Sequence, residues 1–286
     1  MSKKIVHTNY GDIQGNKEGA CFVFKGVPYA LPPIGDRRFR APEKPEPFET
    51  VFEADTYPNR SAQIPWDSPD GFFKKEFYSD KIYETLISED SLYLNIWVPD
   101  KCKADKMPVL FYIHGGGYIG GTGHELEFRT DAYGKQGIIL VTINYRLGIF
   151  GFLAHQWLEC EDASACGNYA VLDQIAALDW VRENICYFGG DPDNITICGQ
   201  SAGGMSVQTL MASRLADGKY QKAIIQSASG YPNYVANVVN LEEAKKWVNA
   251  RWNTLMFILL KNCGVFQWKS CLRLRKNWFL KDFRLG

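Results

Sequence analysis

Ser201 lies in Cys198-Gly199-Gln200-Ser201-Ala202-Gly203-Gly204, a stretch of the form G-x-S-x-G. On a sharp strand-to-helix turn this pattern forces a serine hydroxyl outward, where it can attack an acyl carbon once a base takes its proton. Gly199, Ala202 and Gly203 are small enough to let such a turn form. The competing reading is an ordinary glycine-rich β–α turn. A second stretch, His114-Gly115-Gly116-Gly117-Tyr118, can expose successive backbone N–H groups with no side chain between them. Acyl transfer passes through a tetrahedral oxyanion that needs donors already in place. A tight packing loop and a phosphate cradle are the alternatives here, and no G-x-x-x-x-G-K-[ST] pattern supports the cradle.

The proton acceptor is harder to find. Where a serine sits on such an elbow, the acid and the histidine follow it in the order Ser…Asp/Glu…His. The four histidines are His7, His114, His124 and His155, and all precede Ser201. Downstream stand Asp217, Glu242, Glu243 and Asp282, with no histidine. The first three fall in helix-like or loop stretches and read as solvated charge. A triad acid and histidine are therefore not found in this chain.

The elements that must position these groups are legible from hydrophobic pattern. The first third, with GVPYALPPIGDRRFRAPEKPEP, is rich in turn signals and reads as short strands and surface loop. DSLYLNIWVP, MPVLFYIH and GIILVTINYR are apolar runs suited to strands buried on both faces. YAVLDQIAALDWVRENI places Val171, Ile175, Leu178 and Val181 at helical spacing, with Asn168 as N-cap and Gly189-Gly190 beyond its end. NITICGQSAGGMSVQTLMAS reads as strand (Ile195 to Cys198), tight turn and helix, and AIIQSASG as the next strand. Strands alternating with helices argue an α/β fold with a parallel-rich sheet and reactive groups at strand C-terminal ends.

Composition excludes several function classes. Lys plus Arg equal Asp plus Glu at 32 each, so net charge gives no reason to expect nucleic acid or an anionic membrane as partner. The first residues lack the apolar core of a signal peptide, and the longest apolar run, Leu255 to Leu260, is too short for a transmembrane segment. The eight cysteines contain no C-x-x-C pair and no zinc-ligand spacing. Scattered thiols in a reducing, cytoplasmic setting are the expectation.

FKGVPYALPPIGDRRFRAPEKP, SEDSLYLNIWVP, HGGGY, NYRLGIFGFL and GNYAVLDQIAALDWVRENICYFGGDPDNITICGQSAGG together carry a resemblance. From about Lys3 to Val248 the chain is similar to the N-terminal half of the type-B carboxylesterase family, which includes cholinesterases and p-nitrobenzyl esterases. The resemblance implies an α/β-hydrolase fold, small-molecule carboxylic esters as substrates, and no cofactor. It implies Ser201 as nucleophile and the N–H groups of Gly116, Gly117 and Ala202 as oxyanion hole. His114 would begin the loop without serving as base, and His124 and His155 would be structural or surface residues. Two positions depart from the family pattern. Gln200 stands where Glu is frequent, and Ser61 and Ser91 stand where secreted members carry a disulfide, which fits a reducing compartment.

Composition changes near residue 250, dividing the chain into 1–250, the carboxylesterase-like portion, and 251–286. From Arg251 onward there are eight Lys or Arg against one acid, Asp282, with Trp252, Trp268 and Trp278 and no clear amphipathic period. Out-of-frame translation is the expected explanation, giving a C-terminally truncated α/β-hydrolase. The rival is a basic, aromatic tail that meets a membrane surface or a partner. The expected function is carboxylic ester hydrolysis through an acyl-serine, crippled by the absent acid and histidine. The alternative is a non-catalytic, cholinesterase-like interaction protein or pseudoenzyme. A separately encoded second half is a third possibility. The expected fold leaves an exposed sheet edge and an unburied apolar face.

Overall fold

The chain is described by a computed structural model covering residues 2–63, 72, 75, 85–101, 106–228 and 239–251. The strands are β1 (Lys3–Thr8), β2 (Gly11–Glu18), β3 (Cys21–Pro28), β4 (Phe52–Glu53), β5 (Arg60–Ser61), β6 (Ile87–Ser88), β7 (Tyr93–Pro99), β8 (Met107–Ile113), β9 (Ile139–Ile143), β10 (Gly190–Gln200) and β11 (Lys222–Gln226). The helices are α1 (Ala132–Lys135), α2 (Gly148–Phe152), α3 (Gln156–Glu161), α4 (Tyr169–Asn184), α5 (Ala202–Ala212) and α6 (Leu241–Ala250). One mixed sheet runs β1-β2-β3-β7-β9-β8-β10-β11, with β4 alongside β2. Pairing is antiparallel from β1 through β9 and parallel from β9 through β8 and β10 to β11. Helices flank it, giving the expected α/β architecture.

The central strands follow their composition. β9, Ile-Leu-Val-Thr-Ile, is buried at every residue, as a β-branched run in a covered sheet should be. The apolar stripe of α4 packs inward through Ile175, Leu178 and Val181. Each such side chain contributes about 1.5–3 kcal/mol by leaving water. Asn168 does occupy the N-cap of α4, but its side chain makes no capping hydrogen bond. A buried ion pair instead ties this helix to the chain after β9. Asp173 accepts Arg146 Nη2 at 2.6 Å, Nε at 2.8 Å and the backbone N–H at 3.0 Å.

Register decides where chemistry can occur. Ile113, the last residue of β8, pairs with Gly199 of β10, and Gly199 pairs with Ile225 of β11. His114 and Gly199, far apart in sequence, thus leave the sheet from the same end. Among the described residues β11 is the outer strand, and all five of its residues are exposed. Ile224 and Ile225 keep 44% and 39% of their surface in solvent, and no strand among the described residues pairs with the outer side of β11.

After β11 the described chain resumes at residue 239 and forms α6, which packs on α3. Val248 and Leu241 meet Leu153, Leu158 and Cys166, and Lys245 Nζ reaches Glu159 at 2.5 Å. Of the segment 251–286, all but Arg251 lies outside the described residues.

Candidate active site

Ser201 joins β10 directly to α5 with φ 54° and ψ −121°. A non-glycine residue held there costs about 1–3 kcal/mol, which surrounding contacts must offset. They are present: the Ser201 N–H donates to the Gln226 carbonyl at 2.9 Å, and the Ser201 carbonyl accepts the Met205 N–H at 3.0 Å. The neighbouring glycines let the helix lie tight on the sheet. A Cβ on Gly199 would overlap the Gly203 backbone, and one on Gly203 would overlap the carbonyls of Ile113 and His114. This is the strained strand–turn–helix expected from the sequence, with Ser201 partly exposed at its apex.

The triple-glycine loop comes off β8 beside it. A Cβ placed on Gly115 would lie 3.3 Å from Ser201 Cβ and 2.7 Å from the Gln200 carbonyl oxygen. Gly116, Gly117 and Tyr118 have φ of 108°, 60° and 62°, so the loop turns through left-handed backbone. The Gly116 carbonyl closes the turn by accepting the N–H of Ile119 at 3.0 Å and of Gly120 at 3.1 Å. Among the described residues, the N–H groups of Gly116, Gly117 and Ala202 have no intramolecular acceptor. The structure thus brings Ser201 and the triple-glycine loop together, as the sequence required.

Among the described residues, no acid or histidine side chain is hydrogen-bonded to Ser201. Ser201 Oγ has no hydrogen-bond partner among the described residues. His114 is fully buried, its Nδ1 2.8 Å from the Gly115 carbonyl and its ring stacked on Tyr145 at 4.4 Å. Burial pushes its pKa down to about 4. His124 lies between the hydroxyls of Thr122 (2.8 Å) and Thr85 (2.9 Å), and burial pushes its pKa down to about 3. His155 Nδ1 accepts the Trp157 N–H at 3.2 Å, and burial lowers its pKa also. His7 Nδ1 meets Asp12 at 2.6 Å on the β1–β2 hairpin. Of the carboxylates, Glu243 forms a capping box with Asn240, Glu242 pairs with Lys245, and Asp217 is exposed after a short 3₁₀ turn. Asp282 lies outside the described residues.

Several supports of the site went unread in the sequence. Tyr145 donates its hydroxyl to the His114 carbonyl at 2.8 Å, steadying the start of the glycine loop. Asn144 accepts the Gly123 N–H at 2.7 Å and donates to the Asn59 carbonyl at 2.8 Å. Gln63 bonds both sides of Gly121. Gln174 donates to Ser206 on α5 at 3.0 Å. The available signal was Asn-Tyr-Arg closing an apolar strand, since polar groups there must find partners. Ser61 and Ser91, remote in sequence, sit with Oγ atoms 3.0 Å apart, both buried.

Comparison with known proteins agrees with this geometry. The family model described as "Carboxylesterase family" matches residues 2–276, a span that runs past residue 250. The para-nitrobenzyl esterase of Bacillus subtilis (strain 168) is 43% identical over 230 residues, covering 80% of this chain and 44% of that protein. Neuroligin-2 of Mus musculus is 38% identical, covering 82% of this chain and 31% of its own. A solved PNB esterase superposes with TM-score 0.76 at 40% identity, covering 88% of this chain and 48% of its own. The chain spans less than half the length of each of these three. On a match over most of its own length, it belongs to the carboxylesterase family.

Proposed function

We propose that this chain carries the nucleophile and oxyanion-binding groups of a carboxylic ester hydrolase. Ser201 Oγ adds to the carbonyl carbon of a small-molecule ester, and the carbonyl π electrons move to oxygen. The N–H groups of Gly116, Gly117 and Ala202 receive that oxyanion. Collapse breaks the acyl–oxygen bond, the alcohol leaves with the proton lost by Ser201, and water then hydrolyses the acyl-serine. No cofactor or metal enters this chemistry. The observation that carries the reading is Ser201 at φ 54°, ψ −121°, beside a glycine loop whose Gly116 and Gly117 N–H groups have no acceptor among the described residues.

The proton still needs an acceptor, and no histidine follows Ser201 in these 286 residues. Each described histidine has a ring nitrogen engaged away from Ser201 Oγ, and these residues by themselves are read as a weak or inactive catalyst. Losing a triad histidine costs on the order of 10⁶-fold in rate. Ser201 Oγ has no hydrogen-bond partner among the described residues, and on that observation the second reading is a non-catalytic interaction protein. Cytoplasmic residence is also proposed, supported by the serines at 61 and 91 and by free thiols at Cys21, Cys160, Cys166, Cys186 and Cys198.

Reaction with a fluorophosphonate separates the readings. Labelling that maps to Ser201 and disappears in Ser201→Ala supports an assembled esterase site. An unlabelled wild type that melts cooperatively leaves the interaction-protein reading standing.

A further inference from the structure

We infer that Gln63 is a positioning residue for the glycine loop, clamping Gly121 so that the Gly116 and Gly117 N–H groups stay aimed at Ser201; this rests on the esterase reading above. Gln63 Nε2 donates to the Gly121 carbonyl at 2.9 Å, and Gln63 Oε1 accepts the Gly121 N–H at 3.0 Å. A carboxamide offers one donor side and one acceptor side, so it matches a backbone edge as another strand would. Among the described residues no other side chain bonds the Gly121 backbone.

Gly121 is well placed to transmit that grip. It has φ 106°, and a Cβ there would fall 2.5 Å from His114 Nδ1 and 2.7 Å from the Gly115 carbonyl oxygen. Its backbone therefore rests directly on the two residues that open the loop. Between these contacts the chain is a closed turn, held by the Gly116 carbonyl. Fixing Gly121 fixes the turn, and with it the placement of Gly116 and Gly117 beside Ser201. Gln63 is itself anchored from behind. Its Nε2 also donates to the Ser61 carbonyl at 3.0 Å, and Ser61 Oγ donates to the Tyr145 carbonyl at 2.7 Å. Tyr145 in turn holds His114.

The clamp makes a specific prediction for Gln63→Glu. The carboxyl introduced by that substitution is acceptor-only when ionised and then faces the Gly121 carbonyl with a like dipole; when protonated it regains the donor. The second-order rate of Ser201 phosphonylation would be measured from pH 8 to pH 5 for wild type, Gln63→Ala and Gln63→Glu, each as a ratio to wild type at the same pH. Hydrogen exchange over residues 114–123 would be measured on the same full-length proteins. We expect Gln63→Ala to lose about 10- to 100-fold at every pH, with faster exchange confined to that segment. The Gln63→Glu ratio should rise about 5-fold or more on acidification as its carboxyl takes up a proton, which a loss of packing would not produce. A Gln63→Ala variant that labels at the wild-type rate, or a flat Gln63→Glu ratio, overturns the clamp. If wild-type Ser201 is not phosphonylated at all, the nucleophile reading fails separately. Exchange then decides alone: faster exchange at 114–123 in Gln63→Ala supports the clamp, and unchanged exchange rejects it.

Discussion

Replacing both Ser61 and Ser91 by cysteine should create a disulfide without disturbing the fold. The two Oγ atoms are 3.0 Å apart and each residue keeps 1% of its surface exposed. C–S bonds are longer than C–O bonds, so sulfurs at these positions approach the bonded separation of about 2.05 Å with little backbone movement. The cross-link closes a loop of about 30 residues, which removes about 3.6 kcal/mol of chain entropy from the unfolded state. Against this stands the hydrogen bond that Ser61 Oγ gives the buried Tyr145 carbonyl. Leaving that acceptor unsatisfied costs about 1–3 kcal/mol. The net gain over wild type should be about 0.6–2.6 kcal/mol, or about 1–4 °C in Tm. Thermal melts of the oxidised double variant against wild type would measure it, melts with and without reductant would isolate the cross-link, and peptide mass spectrometry would locate the link between positions 61 and 91 among the other thiols. An oxidised variant that melts no higher than its reduced form, or thiols at 61 and 91 that fail to link under oxidised glutathione, would refute the reasoning.

Other consequences are equally direct. Asp173→Asn leaves Arg146 charged and buried, and should cost about 3–5 kcal/mol in urea unfolding; a midpoint near wild type would mean the guanidinium finds another partner. Gly203→Ala drives a methyl into the Ile113 carbonyl and should cost about 2–3 kcal/mol by lifting α5 from the sheet, measurable by the same unfolding. His114 is held at a pKa of about 4, below its ordinary value near 6.5, because burial disfavours the cation. The unfolded chain therefore binds a proton first, so this stability is full above pH 6.5 and is lost as pH falls toward 4. By about pH 4.5 the loss should be about 2–3 kcal/mol, and the gap between wild type and His114→Gln should narrow by that amount from about pH 7.5. A gap that does not change with pH would contradict a neutral, buried His114.

The parallel strands, the helix at 169–184 and the elbow were legible because they rest on local pattern. An apolar β-branched run such as Ile139–Ile143 has one good use, and small residues flanking Ser201 have a steric reason. What could not be read was support that exists only after folding. Gln63 and Gly121 are 58 positions apart and meet through amide geometry that leaves no periodic trace. Ser61 and Ser91 needed the family resemblance to be paired at all. Asn168 shows the reverse: its position was legible, but its side chain does not cap, because α4 is fixed by Arg146–Asp173 and packing.

The pairing of Ile113 with Gly199 has a kinetic consequence. The glycine loop and Ser201 become neighbours only when β10 docks beside β8, across a long stretch that includes β9 and α4. Contacts of such long sequence range form late and slowly. During synthesis the loop leaves the ribosome well before its serine, and no fragment ending before β11 could supply the Gln226 carbonyl that Ser201 uses. Reactivity at Ser201 is therefore a stringent reporter of the completed sheet: a molecule that labels has already finished folding its centre.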